Sequence, residues 1–155
     1  MIASSVNVEE GVVIHHPDLV NLYGCQIGSG SRIGTFVEIQ RNAVIGKNCK
    51  VSSHTFICEG VTLEEGVFVG HGVMFTNDLH PSAVNADGSL QTDAACPMVP
   101  TVGKRLSVIR SHATILPGAV LGQGHPILAQ AVVPRGVARY HIAAGELTRR
   151  PETRK

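Results

Sequence analysis

Large apolar residues recur at every sixth position through the middle of this chain. Nine such positions follow one another without exception: Ile27, Ile33, Ile39, Ile45, Val51, Ile57, Leu63, Val69 and Phe75. A period of six fits neither the alternation of a single strand nor the 3.6-residue repeat of a helix. Because 43% of the residues are hydrophobic, a fixed run of nine arises by chance about once in two thousand trials. Self-similarity at a fixed period indicates a solenoid, and a period of six is typical of a β-helix.

The other positions of each hexad fit a short strand followed by a corner. The fourth residue after each of these apolar positions is small or β-branched, as in Ser31, Val37 and Ala43. The third residue after them is Gly or Asn in six of eight cases, and these residues adopt φ > 0 at low cost. The eight are Gly30, Phe36, Asn42, Asn48, His54, Gly60, Gly66 and Gly72. Three strands then form an eighteen-residue triangular turn, and turns stack about 4.8 Å apart. The sequence therefore predicts an all-β parallel β-helix lined by the sixth-residue positions, which we call guide positions.

The same repeat extends on both sides of this block. Before it, Ile2, Val8, Ile14 and Val20 follow the period one residue out of phase, which predicts one inserted residue between Val20 and Gln26. After it, the repeat resumes at Ile109, Ile115, Leu121, Ile127 and Val133. The blocks together predict about seven turns in one domain over residues 1–155. Residues 139–155 depart from the pattern and are expected to form an irregular tail.

Residues 76–101 interrupt the repeat. This stretch is polar, contains Pro81, Pro97 and Pro100, and includes the turn-forming sequence ADGS at 86–89. Long loops without secondary structure are usually functional when they occur inside a compact domain. We therefore expect an inserted functional loop, and a mobile insertion without a function is the alternative.

Charge and cysteine content narrow the class of protein. The formal net charge is +1, with 13 basic and 12 acidic residues, which argues against nucleic acid or a membrane surface as the main partner. Neither a signal peptide nor a transmembrane segment is recognisable. The four cysteines (Cys25, Cys49, Cys58 and Cys96) contain no CxxC pair and are expected to be reduced thiols of a cytoplasmic protein.

Three segments resemble the hexapeptide-repeat acyltransferases, namely IGTFVEIQ (33–40), SHTFICEGV (53–61) and GHGVMFTND (70–78). That family folds as left-handed parallel β-helices and works as homotrimers. Within it, the sequence is most similar to N-acetyltransferases of nucleotide-linked 3-amino sugars. The resemblance implies an acetyl-CoA-dependent N-acetyltransferase of cell-surface polysaccharide biosynthesis, acting on the amine of a nucleotide-linked 3-amino-3-deoxy hexose. It also implies that CoA lies between two subunits and that the sugar binds where the loop begins.

The stacking of turns suggests a set of site residues. Residues eighteen apart lie on adjacent turns, so His54 and His71 should share a corner. Asn77, six residues after His71, should lie at the next corner, directly above Glu59. With Asp78, these residues are expected to form one polar strip that leads into the loop. Catalysis is assigned to His71 as a general base and, by resemblance, to Asn77 as an amide that orients the sugar amine. His54, Glu59 and Asp78 are assigned to substrate binding.

The resemblance places CoA on the C-terminal turns. There, Arg135 stands where relatives carry a phosphate-binding lysine, and Ala113 and Ala129 are assigned to the cofactor surface. The C-terminal turns also depart from the family pattern, since a closing Pro-Ala pair is missing and His125 falls on an inward position. A catalytically weakened enzyme or a non-catalytic scaffold is therefore an alternative.

A zinc hydratase of the γ-carbonic anhydrase kind is the alternative from another class. It shares the β-helix and needs three histidines from two subunits, including a pair five residues apart. The eight histidines of this chain contain no such pair. We therefore assign no metal ligands.

Overall fold

The computed structural model describes residues 1–92, 98–124 and 126–134. Over these residues the chain is a left-handed parallel β-helix of about seven turns, as predicted. The one helical segment among them is a 3-10 helix, Pro17–Leu19. The strands, β1 to β18 in chain order, are Asn7–Val8, Val13–Ile14, Asn21–Leu22, Gln26–Ile27, Arg32–Ile33, Glu38–Ile39, Val44–Ile45, Lys50–Val51, Phe56–Ile57, Val61–Leu63, Phe68–Val69, Met74–Phe75, Thr101–Gly103, Val108–Ile109, Thr114–Ile115, Val120–Leu121, Pro126–Ile127 and Val132–Val133.

The strands form three parallel sheets, one for each side of the prism. Sheet 1 has the order β1-β4-β7-β10-β13-β16, sheet 2 has β2-β5-β8-β11-β14-β17, and sheet 3 has β3-β6-β9-β12-β15-β18. Neighbours in a sheet are therefore three strands apart in the chain. The register follows the eighteen-residue turn, since Ile27 pairs with Ile45 and Ile45 with Leu63. A bridge between Ile2 and Leu22 starts a further turn at the N-terminal end.

The guide positions form the core. All nine guide residues from Ile27 to Phe75 are at most 1% exposed. The small or β-branched positions two residues before each guide residue are also buried, as at Val37, Ala43 and Cys49. Because side chains alternate along a strand, only the single residue between them faces outward. This narrow interior explains why small residues alternate with large ones.

The corners adopt the left-handed backbone that the sequence predicted. All eight corner positions between Gly30 and Gly72 have φ between 55° and 83°. Two of them carry bulky side chains, Phe36 at φ 59° and His54 at φ 60°. A left-handed conformation costs such residues on the order of 1–2 kcal/mol. Their rings contact each other across adjacent turns, with centroids 4.8 Å apart.

The predicted position of the N-terminal phase shift is wrong. The guide residue of the first sheet 3 strand is Leu22, which is fully buried, rather than Val20. The interval from Ile14 to Leu22 has two extra residues because the 3-10 helix lies in it. The next interval, from Leu22 to Ile27, is one residue short. The predicted net shift of one residue is therefore correct, but it results from two inserted residues in the first interval and one deleted residue in the second.

The predicted restart of the repeat at Ile109 is also late. The helix resumes with β13 at Thr101, whose strand pairs with Val61–Leu63. Because β13 begins at Thr101, the inserted loop ends at residue 100 and not at the predicted residue 101. Gly103 occupies the guide position and leaves no apolar signal in the sequence. A Cβ atom at Gly103 would lie 2.9 Å from Cδ2 of Leu63, so the Leu63 side chain fills the space that a guide residue normally takes.

Several predictions fall outside the described residues, namely those on Cys96, His125, Arg135 and the tail 139–155. Cys25, Cys49 and Cys58 are buried free thiols. Burial raises the pKa of Cys58 to about 11. Among the described residues, the structure contains no helix that is long and apolar enough to cross a membrane.

Candidate active site

The chain leaves the β-helix at one corner, between sheets 3 and 1. Arg41, Glu59 and Asn77 are stacked there on successive turns at intervals of eighteen residues, and Tyr23 lies on the turn below Arg41. Because β3 pairs with β6 at an offset of seventeen residues, Tyr23 lies below Gln40, next to the position below Arg41. We call Tyr23, Arg41, Glu59 and Asn77 the loop-corner column. The side-chain amide of Asn77 donates through Nδ2 to the carbonyl oxygen of Glu59, at 3.2 Å. The expected placement of Asn77 directly above Glu59 is therefore confirmed.

Hydrogen bonds fix Asn77 at the point where the loop begins and ends. The N–H of Val99 donates to the backbone carbonyl of Asn77 at 3.1 Å, and the N–H of Thr101 donates to that of Gly60 at 3.3 Å. The returning end of the loop is thus held beside its start. Since Nδ2 of Asn77 is bonded to Glu59, Oδ1 is the side-chain atom with which Asn77 can accept a hydrogen bond from a ligand.

A cavity of about 530 Å³ lies between this corner and the loop. We call it the polar cavity. Its size falls within the range of small-molecule sites. The lining is mostly polar and consists of Tyr23, Gln40, Arg41, Glu59, Asn77, Asp78, Ser82, Gln91, Thr92 and Met98. Three residues of the predicted polar strip, Glu59, Asn77 and Asp78, therefore line one cavity.

Glu59 is held by its neighbours on both carboxylate oxygens. Nε of Arg41 donates to Oε2 at 2.9 Å, and Nδ2 of Asn42 donates to Oε1 at 2.7 Å. The backbone N–H of Glu59 donates to Oε1 of Gln40 at 3.1 Å. The Glu59 side chain is 21% exposed. Both carboxylate oxygens of Glu59 are thus bonded to side chains on the turn below.

Tyr23 and Gln40, which line the polar cavity, are both bonded to Glu38. The phenolic O–H of Tyr23 donates to Oε1 of Glu38 at 3.1 Å, and Nε2 of Gln40 donates to the same oxygen at 3.4 Å. Burial and this hydrogen bond to a carboxylate raise the pKa of Tyr23. Tyr23 is therefore a neutral hydrogen-bond donor at physiological pH.

A second cavity, of about 510 Å³, adjoins the polar one at Asn77 and Asp78. We call it the apolar cavity. Its remaining lining is Phe56, Phe75, Thr76, Leu79, Pro81, Leu116, Pro117 and Pro134. Asp78 stands on the boundary between the cavities, and its Oδ1 accepts the N–H of His80 at 2.8 Å. A polar and an apolar compartment thus meet at the residues that open the loop.

The histidines lie at a different corner, between sheets 2 and 3. His54 and His71 share it as predicted, since the N–H of Gly72 donates to the carbonyl of Ser53 at 3.0 Å. The Nδ1 atom of His71 lies 2.8 Å from Oγ of Ser53, within hydrogen-bonding distance. β12 lies between His71 and Asn77, as the six-residue period predicts. Neither the polar nor the apolar cavity is lined by His54 or His71, so within one chain these two histidines stand apart from Glu59, Asn77 and Asp78.

A third histidine, His112, joins the same corner. Its N–H donates to the carbonyl of His71 at 2.8 Å, and its φ is 60°. Its ring lies against Gly72, where a Cβ atom would come within 2.7 Å of Nδ1. The eighteen-residue spacing does not reveal His112, because the inserted loop lies between it and His71 in the sequence. Among the described residues, no group of three His, Cys, Asp or Glu residues is placed to hold a metal ion.

The residues assigned to CoA are dispersed. Ala113 is fully buried in the core, so its side chain cannot contact a ligand outside the prism. Ala129 is exposed at a corner near the C-terminal end. The apolar cavity extends to Pro134, the last described residue before Arg135.

Tyr23, Gln40 and Arg41 were missed as site residues. The eighteen-residue spacing would have found Arg41, which lies directly below Glu59. It would not have placed Tyr23, because β3 pairs with β6 at an offset of seventeen residues. No pattern in the sequence indicates which loop residues fold back onto the corner, and Ser82, Gln91, Thr92 and Met98 therefore come from the structure alone.

The comparisons with known proteins agree with this architecture. Residues 24–59 match the family model of bacterial transferase hexapeptide, six repeats. The chain contains the hexapeptide repeat. The acyl-(acyl-carrier-protein)–UDP-N-acetylglucosamine O-acyltransferase of Brucella ovis is 35% identical over 54 residues. The match covers 35% of this chain and 19% of the Brucella protein.

Solved hexapeptide-repeat structures share the fold. A variant of AntD, an N-acyltransferase from Bacillus cereus in complex with dTDP and coenzyme A, superposes with a TM-score of 0.67 at 17% identity, covering 97% of this chain and 83% of AntD. A hexapeptide-repeat-containing acetyltransferase from Vibrio cholerae O1 biovar eltor, complexed with acetyl coenzyme A, gives 0.54 at 16% identity and covers 85% of this chain and 64% of its own. At these identities the likeness is one of fold.

Proposed function

We propose that this protein is an acetyl-CoA-dependent N-acyltransferase that acts on the amine of a nucleotide-linked amino sugar of the 3-amino-3-deoxy hexose type. One observation carries the proposal. Asn77 and Asp78 stand where a polar cavity meets an apolar one, at the start of the inserted loop. Transfer from a thioester to a sugar amine needs such a junction, because its two substrates differ in polarity.

The reaction requires little covalent chemistry from the protein. The neutral amine attacks the thioester carbonyl carbon, a C–N bond forms, the C–S bond breaks, and the thiol of CoA leaves while the amine gives up a proton. Much of the acceleration can come from holding the reactants in line. Oδ1 of Asn77 accepts a hydrogen bond from the amine and directs its lone pair toward the donor. Asp78 binds the sugar from the same boundary.

The place of His71 depends on assembly. In one chain it lies at the far end of β12 from Asn77, outside both cavities. We therefore assign His71 and His54 to the site only through a homotrimer, in which a neighbouring subunit brings its histidine corner to the loop corner. Asn77 alone orients the amine within a single chain, which makes His71 the less important of the two for turnover.

The cofactor is assigned to the apolar side. The hydrocarbon lining of the apolar cavity suits the acyl and pantetheine portions of a thioester, and the cavity runs toward the C-terminal turns that carry Ala129 and Arg135. The solved relatives support this choice, since one was crystallised with coenzyme A and dTDP and another with acetyl coenzyme A. The curated Brucella relative is named for a nucleotide-sugar acceptor.

The direct test is an assay of thiol release from acetyl-CoA with a panel of UDP- and dTDP-linked amino sugars. We expect turnover with at least one 3-amino sugar and none with the matching 3-hydroxy sugar, which lacks the nucleophile. If folded protein releases no thiol with any sugar of the panel, the result would favour a non-catalytic scaffold. Stoichiometric zinc in the purified protein would favour the hydratase instead.

A further inference from the structure

The loop-corner column changes chemical character from turn to turn. A phenol (Tyr23), a guanidinium (Arg41), a carboxylate (Glu59) and an amide (Asn77) lie on four successive turns, and all four line the polar cavity. Adjacent turns lie about 4.8 Å apart, so Tyr23 and Asn77 are separated by roughly 14 Å along the axis. The chemical character of the lining therefore changes along the cavity, and its two ends suit different parts of one ligand.

Arg41 is the cationic side chain among the described residues that line the polar cavity. Its side chain is 54% exposed but is held by an ion pair. Its Nε atom bonds to Glu59 at 2.9 Å, and Glu59 is itself fixed by Asn42 at 2.7 Å. Gly24 lets the chain of Arg41 come close, because a Cβ atom there would lie 2.8 Å from Cβ of Arg41. The bond to Glu59 holds the Arg41 guanidinium near the level of Glu59, on the turn between those of Arg41 and Asn77.

A guanidinium group matches phosphate oxygens in geometry as well as in charge. A guanidinium carries N–H donors on two terminal nitrogens as well as on Nε, so one arginine can bind several partners at the same time. With the sugar amine at Asn77, Arg41 lies one to two turns below, about 5–10 Å away. A hexose ring and the first phosphate of a nucleotide-linked sugar occupy roughly that length. The nucleoside then falls against the Tyr23 ring.

The geometry points to an acceptor that lies along the loop-corner column, with its diphosphate on Arg41 and its nucleoside against Tyr23. This inference rests on the proposed function, and it adds the orientation of the substrate and the residue that selects a diphosphate. Glu59 becomes a positioning residue, which acts by holding Arg41 and not by touching the sugar.

The test is equilibrium binding by calorimetry, without catalysis. UDP and dTDP, their monophosphates and their nucleosides are titrated into the full chain and into Arg41→Gln, Arg41→Lys, Glu59→Gln and Tyr23→Ala. The control is Arg105→Gln, because Arg105 forms a similar ion pair with Glu65, at 3.4 Å, at another corner. Each variant is first compared with the wild type by circular dichroism and thermal unfolding.

We expect Arg41→Gln to weaken diphosphate binding about tenfold or more, since hydrogen bonds to charged groups are the stronger class. Nucleoside affinity should remain unchanged, and Arg41→Lys should restore part of the diphosphate affinity. Glu59→Gln should weaken the diphosphate less than Arg41→Gln does, Tyr23→Ala should weaken nucleoside and diphosphate alike, and Arg105→Gln should weaken neither.

Three results would overturn the inference. They are unchanged diphosphate affinity in Arg41→Gln, equal losses for nucleoside and diphosphate in that variant, or no diphosphate binding by the wild type. The binding and turnover results are separable. If the wild type transfers the acyl group but Arg41→Gln binds nucleotides as tightly as the wild type, the proposed function stands and the proposed orientation of the acceptor is wrong. Arg41-dependent binding without any acyl transfer removes the proposed function, and the orientation that rests on it.

Discussion

Replacing Asn77 by alanine separates two contributions that the structure assigns to one side chain. Nδ2 supports the fold through its 3.2 Å hydrogen bond to the carbonyl of Glu59, whereas Oδ1 is assigned to the sugar amine. The first contribution affects stability and the second affects turnover. The substitution should therefore change both, by amounts that can be estimated separately.

The stability loss is that of one partly buried hydrogen bond, about 1 kcal/mol. For a chain of 155 residues, this lowers the melting temperature by roughly 2–4 °C. The amine of the acceptor develops positive charge as it attacks, so its hydrogen bond to Oδ1 is worth about 1.5–3 kcal/mol. Loss of that bond lowers kcat/KM by roughly tenfold to more than a hundredfold.

The assay combines thermal unfolding with steady-state kinetics on the best acceptor from the panel. Asn77→Asp is the informative companion, because it keeps an acceptor at Oδ1 but places a second oxygen against the Glu59 carbonyl. We expect it to be less stable than Asn77→Ala at neutral pH. Wild-type kcat/KM in Asn77→Ala would remove Asn77 from the site. A melting temperature equal to that of the wild type would show that the bond to Glu59 contributes nothing.

Three further perturbations test other parts of the structure. His71→Ala should lower turnover less than Asn77→Ala does, and a larger loss, measured in the same kinetic assay, would assign the base to His71. With a pKa of about 11, the Cys58 thiol is ionised in only about one molecule in a thousand at pH 8. In a Cys96→Ser background we therefore expect the thiols to be alkylated slowly in the folded protein and faster on denaturation. Rapid alkylation of the folded protein would contradict the burial of Cys58. Hydrogen bonds from Lys104 and from a backbone N–H lower the pKa of Glu64. The contribution of ionised Glu64 to folding stability is therefore present at neutral pH and lost as the pH falls through that lowered value. Urea unfolding should find Glu64→Gln less stable than the wild type at pH 7 and equally stable in strong acid.

The fold could be predicted from the sequence because its core is periodic. Each guide residue must enter a narrow prism of fixed cross-section, so a large aliphatic side chain at every sixth position is sufficient to define both the strands and their stacking. The corner residues carried an independent signal, and even Phe36 and His54 take the left-handed conformation that their positions required. Where the periodic signal fails, at Gly103 and between Ile14 and Leu22, the prediction failed with it.

The site was only partly accessible to the same reasoning. The spacing of eighteen placed Asn77 above Glu59 and His71 beside His54, because both relations follow from the turn length. The six-residue period also placed the two pairs at successive corners, but it did not show that the histidine pair lines neither the polar nor the apolar cavity. The partners of Glu59 were also hidden, since the sequence does not show that the Arg41 side chain turns upward to the carboxylate. Loop residues such as Gln91 had no periodic neighbour from which a position could be inferred.

The two hydrogen bonds at the mouth of the loop have an evolutionary consequence. With Val99 fixed to Asn77 and Thr101 to Gly60, the chain departs and rejoins at almost the same place, and the spiral continues as though nothing had been inserted. Closing a flexible segment costs only about 0.6 kcal/mol more each time its length doubles. Segments of very different length and composition could therefore be exchanged at this point. Acceptor preference would then diversify by replacing one surface excursion above an unaltered scaffold.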